Sequence, residues 1–492
     1  MSCFRILRVL PLALPILLLA ACAAVRNPAT GEIEYTVLSP EDELRIGRRE
    51  HPRALRAFGG AYEDARLAAY LRRVGARIAA RSDRPGLEYT FTLIDSPKVN
   101  AFALPGGYVY VTRGLLALVE DEAELAGVIA HEIGHIAARH AAQRYTRAMQ
   151  AQLGAFAVTI LGGVLGGREG ARLAQELGGL AAVAYVQGYS REQELEADEL
   201  GVRYLARAGY DPMAMASFLD GLEAWERLER KLRGGRAEEI PSWLRSHPRT
   251  RARIREAADR ARALAKSGRR ERDALLDAID GMVFGDSRRH GWVEGNTFVH
   301  PDLRFRFEVP EDFRLENTPR AVRAFGPRGR LLLFDLGRTG GVSLEAHIAQ
   351  RWIRSRALTA FRRWRTAHGY AAAWARGRGT VNGRPYEFLF AVIAGGGDTL
   401  YRFAYAAPRL NGADLRRLEA ILDGFRLLAP AEAARLRPLR LRIHRVGAGE
   451  DLHSLVRRMA VRRLPRAQFL VLNRLRDGAR LEAGRRVKLV VR

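Results

Sequence analysis

The sequence predicts a multidomain α+β protein: a mainly helical first part with a small sheet, an α+β middle, and a small strand, helix, helix, strand end. Three observations carry this. A chain of 492 residues, 48% of them hydrophobic, exceeds one core and supplies enough apolar side chain for several. Helical periodicity dominates up to about residue 285, whereas beyond Asn296 short alternating runs take over. A proline-flanked stretch from Pro430 to Pro438 then sets off the last part. Domains are expected at 38–285, 286–430 and 436–492, preceded by a leader at 1–21 and a tether at 22–37.

The leader has Arg5 and Arg8, then apolar Val9 to Leu18, then small residues before Cys22, the pattern of a secretory signal and too short a run to span a bilayer comfortably. Cys3 leaves with it, so the mature chain holds one cysteine and makes no internal disulfide. Leu19-Ala20-Ala21-Cys22 resembles a bacterial lipobox, which implies lipidation of Cys22, and Ala23 after it implies sorting to the outer membrane. Asn27 to Gly31 is turn-rich. Ser39-Pro40-Glu41-Asp42 supplies an N-cap serine, a proline at the first helical position and acids in the first turn, so a helix starts there. A second helix is expected over 62–82. Thr90 to Ile94 and Tyr108 to Thr112 alternate as strands with Asn100 to Gly107 between them, either a small supporting sheet or one whose edge strand lets an extended peptide pair through its backbone.

Asp121 to Ala130 has acids followed by apolar residues, as an amphipathic helix entering a core should. It leads into His131-Glu132-Ile133-Gly134-His135. Imidazoles four apart share a helix face and reach one metal, with the Glu132 carboxylate beside the ion's open position, the arrangement of a zinc hydrolase. Such sites need a third protein ligand. Downstream, Ser190 opens a helix on which Glu194 and Asp198 share a face, so Glu194 can bind the metal while Asp198 accepts the outward N–H of a metal-bound imidazole. Glu196 points the other way and reads as a solvated or structural acid, unless the register places it rather than Glu194 at the ion. Residues 151–188 are apolar and glycine-rich but broken by Arg168, Glu169, Arg172 and Glu176, which suits two helices of a lid, a flap resting on a membrane, or a buried hairpin better than a membrane span.

His131 to His135, the Ser190 to Asp198 block and Asn100 to Gly107 together resemble the family-48 zinc metallopeptidases, and within them the periplasmic, outer-membrane quality-control branch (BepA-like). The match covers about residues 38–285. The resemblance implies one zinc per chain on His131, His135 and Glu194, with Glu132 as general base. Ser246-His247-Pro248, followed by Arg253, resembles a segment of that branch whose histidine approaches the metal, so His247 is expected there as a removable ligand or as a donor to the oxyanion. Unfolded or misassembled envelope proteins are the implied substrates, and the periplasm, with a lipid anchor at Cys22, the implied location. A chaperone tethered to peptidoglycan, with a mostly closed metal site, is the alternative.

In the middle part, Leu303 to Val309, Arg330 to Leu336, Tyr386 to Val392 and Leu400 to Tyr405 read as strands, with helices over about 344–366 and 413–425, giving an antiparallel sheet with helices on one face and no catalytic constellation. The last part resembles the LysM module, which implies binding to peptidoglycan sugars, although the family's Gly-Asp-Thr-Leu appears as Gly449-Glu450-Asp451-Leu452. The charge of +26, from 81 Lys+Arg against 55 Asp+Glu, is spread along the chain without an aromatic-interleaved basic patch, so nucleic acid is not expected as a partner.

Overall fold

A computed structural model describes residues 23–150, 188–232, 247, 251–264, 267–355 and 357–492. The leader with Cys22, all but the last residue of the 151–188 stretch, Ser246 and Pro248 lie outside them. Two compact units result: the described residues up to Phe284 together with Arg440–Val491, and Gly285–Leu439 with Arg492. The first boundary therefore falls one residue before its expected place. Residues 440–491, read from sequence as a module of their own, belong to the first unit.

The first unit opens with a hairpin, β1 (Ala23–Arg26) and β2 (Ile33–Thr36). Helix α1 (Pro40–Phe58) starts as the sequence predicts: the Ser39 hydroxyl accepts from the Asp42 amide, the Asp42 carboxylate returns the bond, and Pro40 occupies a position that needs no N–H. Helix α2 (Ala65–Ala79), shorter than the expected 62–82, buries Leu67, Leu71, Val74 and Ile78. A three-stranded sheet follows, from β3 (Thr90–Ile94), β4 (Ala101–Leu104) and β5 (Tyr108–Thr112), with β5 central, parallel to β3 and antiparallel to β4. β4 is thus an edge strand.

After α3 (Arg113–Leu118) comes α4 (Glu122–Ala137), which carries the two histidines; Asp121 caps it by accepting from the Glu124 amide at 2.9 Å. All sixteen of its residues are buried. The expectation of an amphipathic helix is corrected here, because the first-turn acids have partners brought from far along the chain. Glu122 takes Arg73, Arg77 and the Tyr210 hydroxyl, and Glu124 takes the Ser217 hydroxyl and Arg474. Helix α5 (Arg191–Arg207) crosses α4 closely. A Cβ on Gly134 would lie 3.1 Å from the Ala197 carbonyl and 3.2 Å from Leu200, so glycine at that position lets the two backbones approach. Helices α6 (Ala214–Leu232), α7 (Arg251–Ala263) and α8 (Arg272–Ile279) complete this stretch.

In the second unit, β6 (Trp292–Glu294), β7 (Thr297–His300), β8 (Phe305–Glu308), β9 (Arg314–Asn317), β10 (Val322–Phe325), β11 (Leu331–Arg338), β12 (Thr359–Arg365), β13 (Ala371–Val381), β14 (Arg384–Ala394), β15 (Thr399–Ala407) and β16 (Arg426–Leu427) form two sheets. One has seven antiparallel strands ordered β12-β13-β14-β15-β11-β10-β9, the other four ordered β16-β8-β7-β6. The helix expected over 344–366 is a correction. Helical backbone spans only Leu344–Ala346 and a π-turn His347–Trp352, and Thr359–Arg365 pairs with β13 as an exposed edge strand. Helices were also expected on one face only. Helix α9 (Gly412–Asp423) packs Leu418, Ile421 and Leu422 with Phe307, Trp374 and Phe403, while Ile348 joins Ala373, Ala375 and Val392 on the opposite side, since alternate residues of β13 face opposite ways.

The chain then returns to the first unit with β17 (Arg440–Arg445), α10 (Leu452–Arg457), α11 (Pro465–Leu472) and β18 (Arg486–Val491), the strands pairing antiparallel, in the expected order of elements. β17 continues outward by pairing with residues 281–283, through Gly281 N–H to Leu441 O and Leu441 N–H to Met282 O. The Lys488 ammonium, wholly buried, donates to the carbonyls of Ala117 (3.0 Å) and Val119 (2.6 Å) at the end of α3.

Candidate metal centre

The crossing of α4 and α5 brings His131, His135 and Glu194 together, and His247 joins them; all four are buried. His131 Nε2 lies 3.1 Å from His135 Nε2, 3.2 Å from His247 Nδ1 and 3.6 Å from Glu194 Oε2; Glu194 Oε1 lies 3.5 Å from His135 Nε2 and 2.9 Å from His247 Nδ1. A tetrahedral zinc with nitrogen ligands at 2.0–2.1 Å has donor atoms about 3.3 Å apart, so this donor set fits that ion. Glu132 completes the picture. It is fully buried, its Oε1 is 3.4 Å from His247 Nε2, and among the described residues neither carboxylate oxygen has a hydrogen-bond partner, as suits a group aimed at a water rather than at protein. Glu196, the other candidate for third ligand, is half-buried and turned away from the cluster, with Oε2 3.2 Å from His140 Nε2.

The surrounding charges sort the acids. Arg253, itself buried, holds Asp198 with two parallel bonds (2.7 and 2.8 Å) and also reaches Glu194. Asp198 Oδ1 is 2.9 Å from His131 Nδ1, the partner foreseen from the four-residue spacing. Burial opposes charge on both acids but is outweighed. His247, His135 and Arg253 hold the Glu194 carboxyl well below the usual range, and Arg253 with His131 lowers that of Asp198. Burial pushes the Glu132 carboxyl up and the His135 imidazole well down. For His247 burial is outweighed by the charges of Glu194 and Glu132, which raise it.

Three groups escaped the sequence reading. Arg253 was noted without a role, and nothing near it in sequence shows that it clamps two acids of another helix. Tyr189 stacks on the His135 ring, centroids 3.7 Å apart and planes within 12°, with the Arg144 guanidinium 4.7 Å from the tyrosine ring. His140 Nδ1 is 2.7 Å from His135 Nδ1. A shallow pocket lined by Ala103, Leu104 and Pro105, and by His135, Ile136 and Tyr189, runs from the β4 side of the sheet to the cluster.

Two histidines one turn apart on a buried helix, a glutamate on the next helix and the Glu132 carboxylate, without a hydrogen bond among the described residues, define a metallopeptidase site of the His-Glu-x-x-His class. Residues 65–261 match Peptidase family M48, whose members are zinc-dependent. Similar proteins are the putative beta-barrel assembly-enhancing protease of Vibrio cholerae, 33% identical over 246 residues (48% of either chain), and the beta-barrel assembly-enhancing protease of Escherichia coli K12, 31% identical over 242 residues (48% of this chain, 47% of the relative). The mitochondrial metalloendopeptidase OMA1 of Bos taurus is 30% identical over 230 residues, covering 45% of this chain and 43% of that one. The chain spans about half the length of the curated relatives it matches.

Proposed function

We propose that the protein is a zinc-dependent endopeptidase of the bacterial envelope that removes misfolded or stalled envelope proteins. The observation that carries this is the buried quartet His131, His135, Glu194 and His247 with the Glu132 carboxylate beside it, free of hydrogen bonds among the described residues. His131, His135 and Glu194 are the permanent ligands in this reading. Zinc, when bound, supplies Lewis acidity toward the scissile carbonyl and lowers the pKa of its water toward ~7. Glu132 takes the proton of the attacking water and hands it to the leaving amine, so no covalent bond to the enzyme is needed. His247 caps the site at rest and withdraws when a substrate binds, which suits a protease that must be restrained. An extended substrate pairs with the edge strand β4 and is read through its backbone, so many unfolded sequences qualify.

The envelope location and the lipid anchor at Cys22 rest on the signal-like leader and on relatives whose names describe beta-barrel assembly. Among the described residues no helix is long and apolar enough to cross a membrane. The C-terminal strand-helix-helix-strand segment is the candidate contact to peptidoglycan. The test is cleavage of an unfolded outer-membrane protein by purified full-length wild type and by Glu132→Gln. Loss of hydrolysis by about 10²–10⁴ with zinc retained is the expected result. Equal binding of the unfolded protein by both, with cleavage by neither, would overturn it in favour of a chaperone with a closed metal site.

A further inference from the structure

The imidazoles of His131 and His135 are held from behind in different ways. His131 turns its Nδ1 directly to the Asp198 carboxylate at 2.9 Å. His135 turns its Nδ1 to another imidazole, that of fully buried His140, at 2.7 Å, and His140 Nε2 in turn lies 3.2 Å from Glu196 Oε2.

Only one arrangement of protons lets this chain serve a metal on His135 Nε2. That nitrogen must keep its lone pair free, so the His135 proton sits on Nδ1 and is donated to Nδ1 of His140. His140 then carries its own proton on Nε2 and donates it to the Glu196 carboxylate. Reversing the first bond would place the His135 proton on Nε2 and remove it as a ligand. The terminal carboxylate selects the productive direction, because it accepts and never donates when ionised.

The backbone is shaped for this contact. On a continuous helix a residue five positions on lies about 140° around the axis, facing away. Here α4 ends at Ala137, Arg139 adopts a left-handed φ of 54°, and helical backbone resumes at His140, which returns its ring to His135. A non-glycine residue holds that conformation only when its surroundings enforce it. Arg139 is pinned by Glu43 and by the Leu38 carbonyl (2.7 Å), and the Ala138 carbonyl accepts from Asn27 and from Gln143. Tyr189, flat on the His135 ring, fixes its plane from a further side.

We propose that His140 is a positioning residue for the metal: anchored by Glu196, it sets the tautomer and the aim of His135. The inference rests on the zinc site proposed above and adds the group that prepares it. The test uses purified full-length protein, with zinc affinity from chelator competition and the visible spectrum of the cobalt-substituted form as readouts independent of activity. His140→Phe keeps the ring volume and removes the hydrogen bonds, and should weaken zinc binding by about 10- to 100-fold and alter the cobalt spectrum. His140→Asn, which keeps an acceptor, should recover part of that loss. Glu196→Ala should weaken zinc binding by a smaller factor. Phe and wild-type proteins with equal affinity and equal spectra would overturn the proposal, as would an asparagine variant no better than phenylalanine. If His140→Phe fails to fold, Glu196→Ala decides, and unchanged affinity there overturns it. A wild type that binds no zinc would defeat the site itself, whereas zinc-loaded wild type matched by His140→Phe would defeat only the role of His140.

Discussion

Replacing Lys488 by methionine should change how stability depends on pH. The ammonium is wholly buried, with two backbone carbonyls at 3.0 and 2.6 Å, Glu120 at 4.0 Å as the nearest counter-charge among the described residues, and Glu124 farther off. Burial pulls its pKa down from 10.5 to about 8, the charge of Glu120 opposing weakly. Below pH 8 the folded and unfolded chains are both protonated, and the folded one bears the full desolvation cost. Between pH 8 and 10.5 the unfolded chain holds a proton that the folded chain has released, so wild-type stability climbs with pH relative to a chain lacking the group. At 1.36 kcal/mol per pKa unit, the wild type should gain about 2–3 kcal/mol on Lys488→Met between pH 7 and 10. Methionine also leaves the Ala117 and Val119 carbonyls unpaired, an offset of about 1–3 kcal/mol that does not vary with pH. Urea equilibration at pH 7, 8, 9 and 10 followed by pulse proteolysis, with peptides from α4 quantified, reads the first unit. A wild-type-minus-variant difference flat to within about 0.5 kcal/mol across that range would refute a desolvated ammonium at this position.

His131→Ala, His135→Ala and Glu194→Ala should each lose bound zinc in metal analysis, because the proposed set of three permanent ligands leaves none to spare; full occupancy in Glu194→Ala would move the third ligand to another residue, with His247, whose Nδ1 is 3.2 Å from His131 Nε2, the first to try. His247→Ala should raise peptidase activity and self-cleavage while keeping zinc, if the imidazole caps the site. A fall of about 10²–10³ at constant zinc would make it an oxyanion donor instead. Cys22→Ser should move the protein from the membrane fraction to the soluble one, and retention in washed membranes would turn attention to residues 151–188.

The site was legible where chemistry follows helical spacing. His131 and His135, and Glu194 and Asp198, lie four apart on α4 and α5 and meet as that period requires. Ser39 and Ser190 cap their helices in the structure where the sequence starts them, because a cap is a local bond, whereas Asp121, read as one of the first acids of α4, is its cap. What was hidden depends on distant or unsignalled geometry. No local feature marks Arg139 for a left-handed backbone, so nothing in the sequence points to a contact between His140 and His135. The burial of Glu122 and Glu124 has no local signal, because their arginine and hydroxyl partners lie tens to hundreds of residues away. In the second unit β13 escaped notice, since its buried positions are largely small, Ala372, Ala373 and Ala375, and produce no hydrophobic alternation. Thr359–Arg365 was absorbed into the preceding helix because exposed arginines suit a helix surface as well as an edge strand.

The discontinuity of the first unit sets an order of events in time. The stretch bearing the histidines and its C-terminal partners, Arg474 on Glu124 and Lys488 at the end of α3, are separated by the whole of the second unit, about 155 residues. At synthesis rates of about 5–20 residues per second, that delay is on the order of 10 seconds or more, long enough for the intervening unit to fold first. Until the C-terminal segment arrives, Glu124 at the start of α4 lacks Arg474, and the carbonyls of Ala117 and Val119 lack the Lys488 ammonium. A partly made chain therefore holds His131, His135 and Glu194 before it has the whole packing of the unit that carries them, which is complete only when residues 440–491 have been added.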